Sequence, residues 1–122
     1  MVSFHRTPYG LRMTFTGGTA AQNVRDCIAE GDAHFSQMAR GWRLVSDVRE
    51  APLMSQADFQ EMAKYMAAFT NPPAKVAVLV SSAMFALQLQ RLYRSVGSGD
   101  RVRVFQADLG PPGLADAERF VA

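Results

Sequence analysis

From Trp42 onward, the chain passes three times in succession from a short apolar strand into a helix. Trp42–Val48 leads into Ser55–Phe69, Val76–Val80 into Ser82–Val96, and Val102–Phe105 into Leu114–Val121. This alternation predicts strands side by side in one sheet, with helices carrying the chain back between them. Sheets of this kind hold ligands and switches at the carboxyl ends of their strands. Asp47 falls at such an end, and so do Ser81 and Ser82.

The residues before Trp42 predict a β-hairpin and one helix. Val2–Thr7 and Leu11–Gly17 flank Pro8-Tyr9-Gly10, a turn by composition. Leu11, Met13 and Phe15 alternate with Arg12, Thr14 and Thr16, so one face is buried and the other polar. Thr19 with Gln22 three residues on has capping-box spacing, and Gly31 is the expected helix stop. Asp32–Gly41 reads as an irregular, flexible connection. The fully apolar Val76–Val80 predicts a central strand covered on both faces. The arginines of Arg101-Val102-Arg103 suit a sheet edge.

A length of 122 residues, 48% apolar and 20% charged, fits a single globular domain spanning 1–122. Thirteen basic residues are interleaved with eleven acids, for a net charge of +2, so no stripe suited to a nucleic-acid backbone forms. Cys27 is the only cysteine, which excludes an internal disulfide and a cysteine-rich metal site. Its place on the apolar side of a helix predicts a buried thiol. The N-terminal residues lack the basic and apolar regions of a signal peptide. No apolar run approaches the roughly 20 residues of a membrane span. The expectation is a cytoplasmic protein with no membrane span, no nucleic-acid partner and no cofactor.

Asp47 is the most suggestive carboxylate, since it ends a strand as the phosphoacceptor of a receiver domain does. Such a site needs Mg²⁺ and further carboxylates from the first strand, and neither hairpin strand supplies one. Pairing of Asp47 with Arg49, or a loop-capping role, is the commoner use of a residue so placed. Ser55 and Ser82 stand where helices begin, as caps that also favour an anion. Ser81 is less easily explained as a cap. Gly17-Gly18-Thr19 lies between strand and helix but has neither phosphate-loop spacing nor a Walker lysine. His5, on a strand, and His34, in the polar connection, lie far apart without metal-ligand spacing. With no dense catalytic constellation, the expectation is that the protein is not an enzyme. Met54, Met62, Met66 and Met84 surround the two central helices, where methionine fills core gaps or adaptable surfaces. Met84 and Leu87 fall off the Phe85–Leu89–Leu92 stripe and predict a face turned to a partner or second subunit, as do Tyr65 and Tyr93.

The strand ending Leu44-Val45-Ser46-Asp47-Val48-Arg49, the helix capped by Ser55, the run Lys75–Ser82, then Arg91-Leu92-Tyr93 and Val102–Phe105 together resemble the SpoIIAA-like family of the STAS superfamily, the anti-sigma-factor-antagonist-like domains. The resemblance covers nearly the whole chain. It implies a small cytoplasmic bacterial α/β domain: a mixed β-sheet with an N-terminal β-hairpin followed by αβαβαβα, helices packed on the sheet. It further implies a regulatory or protein-interaction module, with a protein partner or itself as a homodimer. The family's phosphorylatable serine opens the helix after this strand in an Asp-Ser-Ser-Gly motif. Here Leu53-Met54-Ser55-Gln56-Ala57 stands there, and only Ser55 corresponds. The superfamily also resembles the lipid-binding Sec14-like domains in topology, which implies the alternative of a small lipid or anionic ligand at the carboxyl ends of the strands. On these grounds Asp47, Arg49, Ser55, Ser81, Ser82 and Arg91 form the expected binding or switch surface.

Overall fold

The three strand–helix units and the hairpin assemble into one five-stranded sheet of order β1-β2-β3-β4-β5. The computed structural model describes residues 1–122. The strands are β1 (Val2–Thr7), β2 (Gly10–Thr16), β3 (Arg43–Glu50), β4 (Lys75–Val80) and β5 (Val102–Gln106). The helices are α1 (Ala20–Phe35), α2 (Gln56–Ala67), α3 (Ala83–Ser95) and α4 (Pro111–Val121). Strand β1 runs antiparallel to β2, and every later pairing is parallel. Parallel neighbours need crossovers, which are right-handed as a rule. A chain that steps always to the next strand on one side therefore lays α1, α2 and α3 on one face. α4, which leads to no further strand, packs on the other.

The side-chain period of two divides each strand between two cores. Leu11, Met13 and Phe15 of β2, Leu44 and Val48 of β3, and Val76, Val78 and Val80 of β4 face α1–α3. Val45, Ala77 and Leu79 face α4 through Ala117 and Val121. Strand β4 is buried at every position after Lys75, as its apolar run predicts. Strand β5 is one edge of the sheet, as the arginines around it predict, and β1 is the other.

The predicted caps form. Thr19, Ser55 and Ser82 each accept a hydrogen bond from the backbone N–H three residues on, at 3.1 Å. Gln22 does not complete a capping box, because its side chain bonds Asp26 and Arg25 instead. Gly31 does not stop α1, which continues through the expected flexible stretch to Phe35. Phe35 must reach the core, where it stacks on Trp42 with ring centroids 5.5 Å apart. At Gly31, α1 passes so close to its neighbours that a Cβ would lie 2.8 Å from Phe35 and 3.1 Å from the Tyr65 hydroxyl. His34 accordingly lies on α1, not in a loop, and stacks on Phe4 at 4.2 Å.

Helix α2 is the exception to good burial. None of its residues is buried, although Phe59, Met62, Tyr65 and Met66 are partly covered. Its two ends are pinned. Gln88 of α3 brackets the incoming loop, donating to the Met54 carbonyl (2.7 Å) and accepting from the Met54 N–H (3.0 Å). On the outgoing side Trp42 donates to the Asn71 carbonyl, and Asn71 donates to the Met38 carbonyl.

Candidate functional site

At the carboxyl end of β3 the pairing with β2 slips: Thr14 faces Asp47 but Thr16 faces Glu50, so β3 carries one extra residue. A bulge of this kind leaves backbone groups out of the ladder, and they need other partners. Asp47 and Ser81 supply them. The Arg49 N–H donates to Asp47 Oδ1 (3.2 Å), and the Ser81 hydroxyl donates to the Arg49 carbonyl (2.8 Å). The Arg49 side chain then forks onto the same carboxylate, Nε to Oδ1 at 2.9 Å and Nη2 to Oδ2 at 2.8 Å. Its remaining nitrogen, Nη1, donates to the carbonyls of Asp108 and Gly110, both at 2.8 Å. Hydrogen bonding to Asp47 raises the Arg49 pKa, against the opposing effect of burial. The guanidinium thus staples the end of β3 to the loop that launches α4.

Of the six residues expected to form one surface, the structure joins Asp47, Arg49 and Ser81 in that staple. Ser55 and Ser82 lie on the same pole of the sheet as exposed helix caps. Arg91 stands apart, more than two turns along α3 on its exposed side. Arg49 is 6% exposed in its side chain and already holds its partners.

A different feature emerges under α2. Two adjoining apolar cavities of about 50 and 60 Å³ lie between this helix and the sheet. They share a wall of Met13, Met62, Met66 and Tyr93, and together form a slot running beneath α2. One end, at the amino pole of the sheet, is bounded by Pro72, Pro73, Ser98 and Arg101. The other reaches Pro52 and Met54 at the carboxyl pole. The slot extends along α2, whose twelve residues span about 18 Å.

Few polar groups reach this slot. The Cys27 thiol is 1% exposed and lies 3.9 Å from Met13 Sδ, and burial pushes its pKa up to about 12. This is the buried thiol the sequence predicts. Tyr65, expected to face outward, instead donates its hydroxyl to Asp32 Oδ1 (2.7 Å), latching the last turn of α2 to α1. Burial, then this hydrogen bond, raise its pKa. Tyr93, also expected to face a partner, lines both halves of the slot, and its hydroxyl makes no hydrogen bond within the protein. Burial, then the nearby Cys27, raise its pKa. Ser46, 4% exposed, is likewise without a hydrogen-bond partner and lines the slot. Sequence reading missed Ser46, although a signal exists: a hydroxyl interrupts the inward-facing phase Leu44, Ser46, Val48 of β3.

Other surfaces complete the picture. Met84, Leu87 and Leu53 are 70%, 54% and 46% exposed. The first two lie off the buried Phe85–Leu89–Leu92 stripe of α3. No group of three or more His, Cys, Asp or Glu side chains converges as metal ligands would. No helix is long and apolar enough to cross a membrane.

No protein-family model and no curated protein matches the chain. Among solved structures it is similar to an uncharacterised protein of the DUF3478 family with a SpoIIAA-like fold, from Shewanella loihica PV-4. The similarity has a TM-score of 0.69 at 10% sequence identity, over 100% of this chain and 93% of that one. Element order, the mixed five-stranded sheet and this likeness together establish that the chain has a SpoIIAA-like fold.

Proposed function

We propose that the protein is a non-enzymatic regulatory module that binds a small apolar molecule in the slot beneath α2. The observation that carries this reading is a helix with no buried residue lying over an apolar slot. A helix built only for stability buries its apolar stripe. This one places Met62, Tyr65 and Met66 over unfilled space and depends on pins at its two ends. Methionines suit such a wall, since their flexible side chains conform to different occupants. A ligand held there sets the position of α2 and of the Ser55 loop leading into it.

The test is native mass spectrometry of the protein purified without detergent from its own cells, followed by thermal titration of the stripped protein with lipid extract. The reading predicts an added mass that leaves on denaturation, and a rise in melting temperature with extract, as for any ligand that binds only the folded state. Ser46→Leu, which fills one half of the slot, should abolish both. A melting temperature indifferent to the extract in the wild-type protein would refute the reading.

A second reading, docking of a protein partner or a second copy, is supported by the exposure of Leu53, Met84 and Leu87 beside the caps Ser55 and Ser82. Met84→Asp should then weaken association measured by sedimentation, and Ser55→Asp should do so if the exposed hydroxyl acts as a switch.

A further inference from the structure

Resting on the slot reading above, the chemistry of the slot and its mouth specifies the class of molecule that enters: we infer that the occupant is a single-chain amphiphile with an anionic head, its head at Arg101 and its tail beneath α2. Arg101 forms part of the slot wall at the amino pole, beside Ser98, Pro72 and Pro73. The protein's ion pairs are Arg49 with Asp47 and Arg119 with Asp116, so the Arg101 guanidinium has no carboxylate of its own. It makes one side-chain hydrogen bond, from Nη2 to Ser98 Oγ (3.0 Å). That bond orients the fork at the slot mouth and leaves donors free, the geometry that suits a carboxylate or phosphate oxygen pair.

Behind Arg101 the wall turns apolar. Leu44, Val76, Met13 and the α2 methionines face the space in which a hydrocarbon tail would lie. The slot is nevertheless not simply a loosely filled core. Neither the Ser46 nor the Tyr93 hydroxyl makes a side-chain hydrogen bond within the protein, yet no side-chain polar atom sealed from solvent lacks a partner. Both hydroxyls therefore reach open space, where water or a ligand can meet them. The cavities are smaller than the roughly 150 Å³ site that admits benzene in an engineered core. A chain-like ligand therefore enters by bowing α2 outward between its pinned ends, which strains the latch from Tyr65 to Asp32.

The probes are decanoic acid and 1-decanol, which share a tail and differ in head charge. Binding at pH 8 is followed by calorimetry and by the fluorescence of Trp42, which stacks on Phe35 of the slot wall. The inference predicts one decanoate per chain, bound about tenfold or more tightly than decanol. Arg101→Ala should lose that preference while leaving decanol binding unchanged, and Arg101→Lys should restore part of it. The unliganded melting temperature of each variant reports its fold. Equal binding of acid and alcohol, unaffected by Arg101→Ala, would overturn the anionic head and leave the apolar slot standing. Binding of neither probe would overturn both. Decanoate binding that survives Ser46→Leu would place the site elsewhere and overturn the inference.

Discussion

Replacing Arg49 by Met keeps the apolar stem of the side chain but removes the guanidinium and with it every side-chain donor. Asp47 then loses both halves of a forked ion pair, and the Asp108 and Gly110 carbonyls lose the bonds that hold the β5–α4 loop. Stranding one member of a buried pair costs about 3–5 kcal/mol. The Asp47 side chain is 15% exposed, and Asp108 stands at the surface, so water recovers part of that loss. The expected cost is therefore about 3 kcal/mol, or about 10 °C in melting temperature for a chain of this size. Urea unfolding followed by circular dichroism gives the free energy directly. Asp47→Asn should cost less, because the amide oxygen still accepts from the Arg49 N–H. The double variant should be less destabilised than the two single changes added, since removing both partners leaves no unpaired charge. If Arg49→Met loses less than about 1 kcal/mol, the net worth of an ordinary hydrogen bond, the staple does not hold the end of β3 to α4.

Gly113→Ala should destabilise by about 1–3 kcal/mol, as overpacking does. The new Cβ would stand 2.7 Å from the Ala107 Cβ and 3.4 Å from Arg49 Nη1, and α4 must shift to admit it. Thermal unfolding checks this. Alkaline pH should also weaken the fold. Folding favours the protonated Cys27 thiol, raising its pKa from 9.0 to about 12, and the Tyr9 phenol, raised from 10.0 to about 12 chiefly by burial and its bond to Glu118. Stability from both is fully present below about pH 9 and is lost as pH rises toward 12. Cys27→Ala should move the onset of that loss upward in urea titrations at successive pH values, and an unmoved onset would contradict the assignment.

Strand and helix order was legible because local signals agreed with the global fold. Thr19, Ser55 and Ser82 cap as their spacing predicts, and Val76–Val80 is buried on both sides. Gly31 misled because a glycine can end a helix or admit a close neighbour, and only tertiary contact with Tyr65 distinguishes the two. Among the residues singled out for chemistry, Asp47 and Ser81 answer the hydrogen-bonding needs of a bulge, a register feature that has no signature in the sequence. The slot was illegible for a related reason. The stripe Phe59, Met62, Met66, Phe69 states which side of α2 is apolar, but not how far that side stands from the sheet. Arg101 reads as an edge arginine in sequence, and only the meeting of β5 with Pro72 and Pro73 places it at the mouth of a cavity.

The central claim is that α2 is a lid, pinned at its ends and free at its centre, over a ligand slot. Hydrogen exchange resolved along α1, α2 and α3 tests this most directly, first on the stripped protein and then with decanoic acid added. The account predicts that the central amides of α2 exchange faster than those of α1 and α3, which bury side chains, and slow when the slot fills. Exchange in α2 as slow as in its neighbours, and unchanged by the acid, would contradict it.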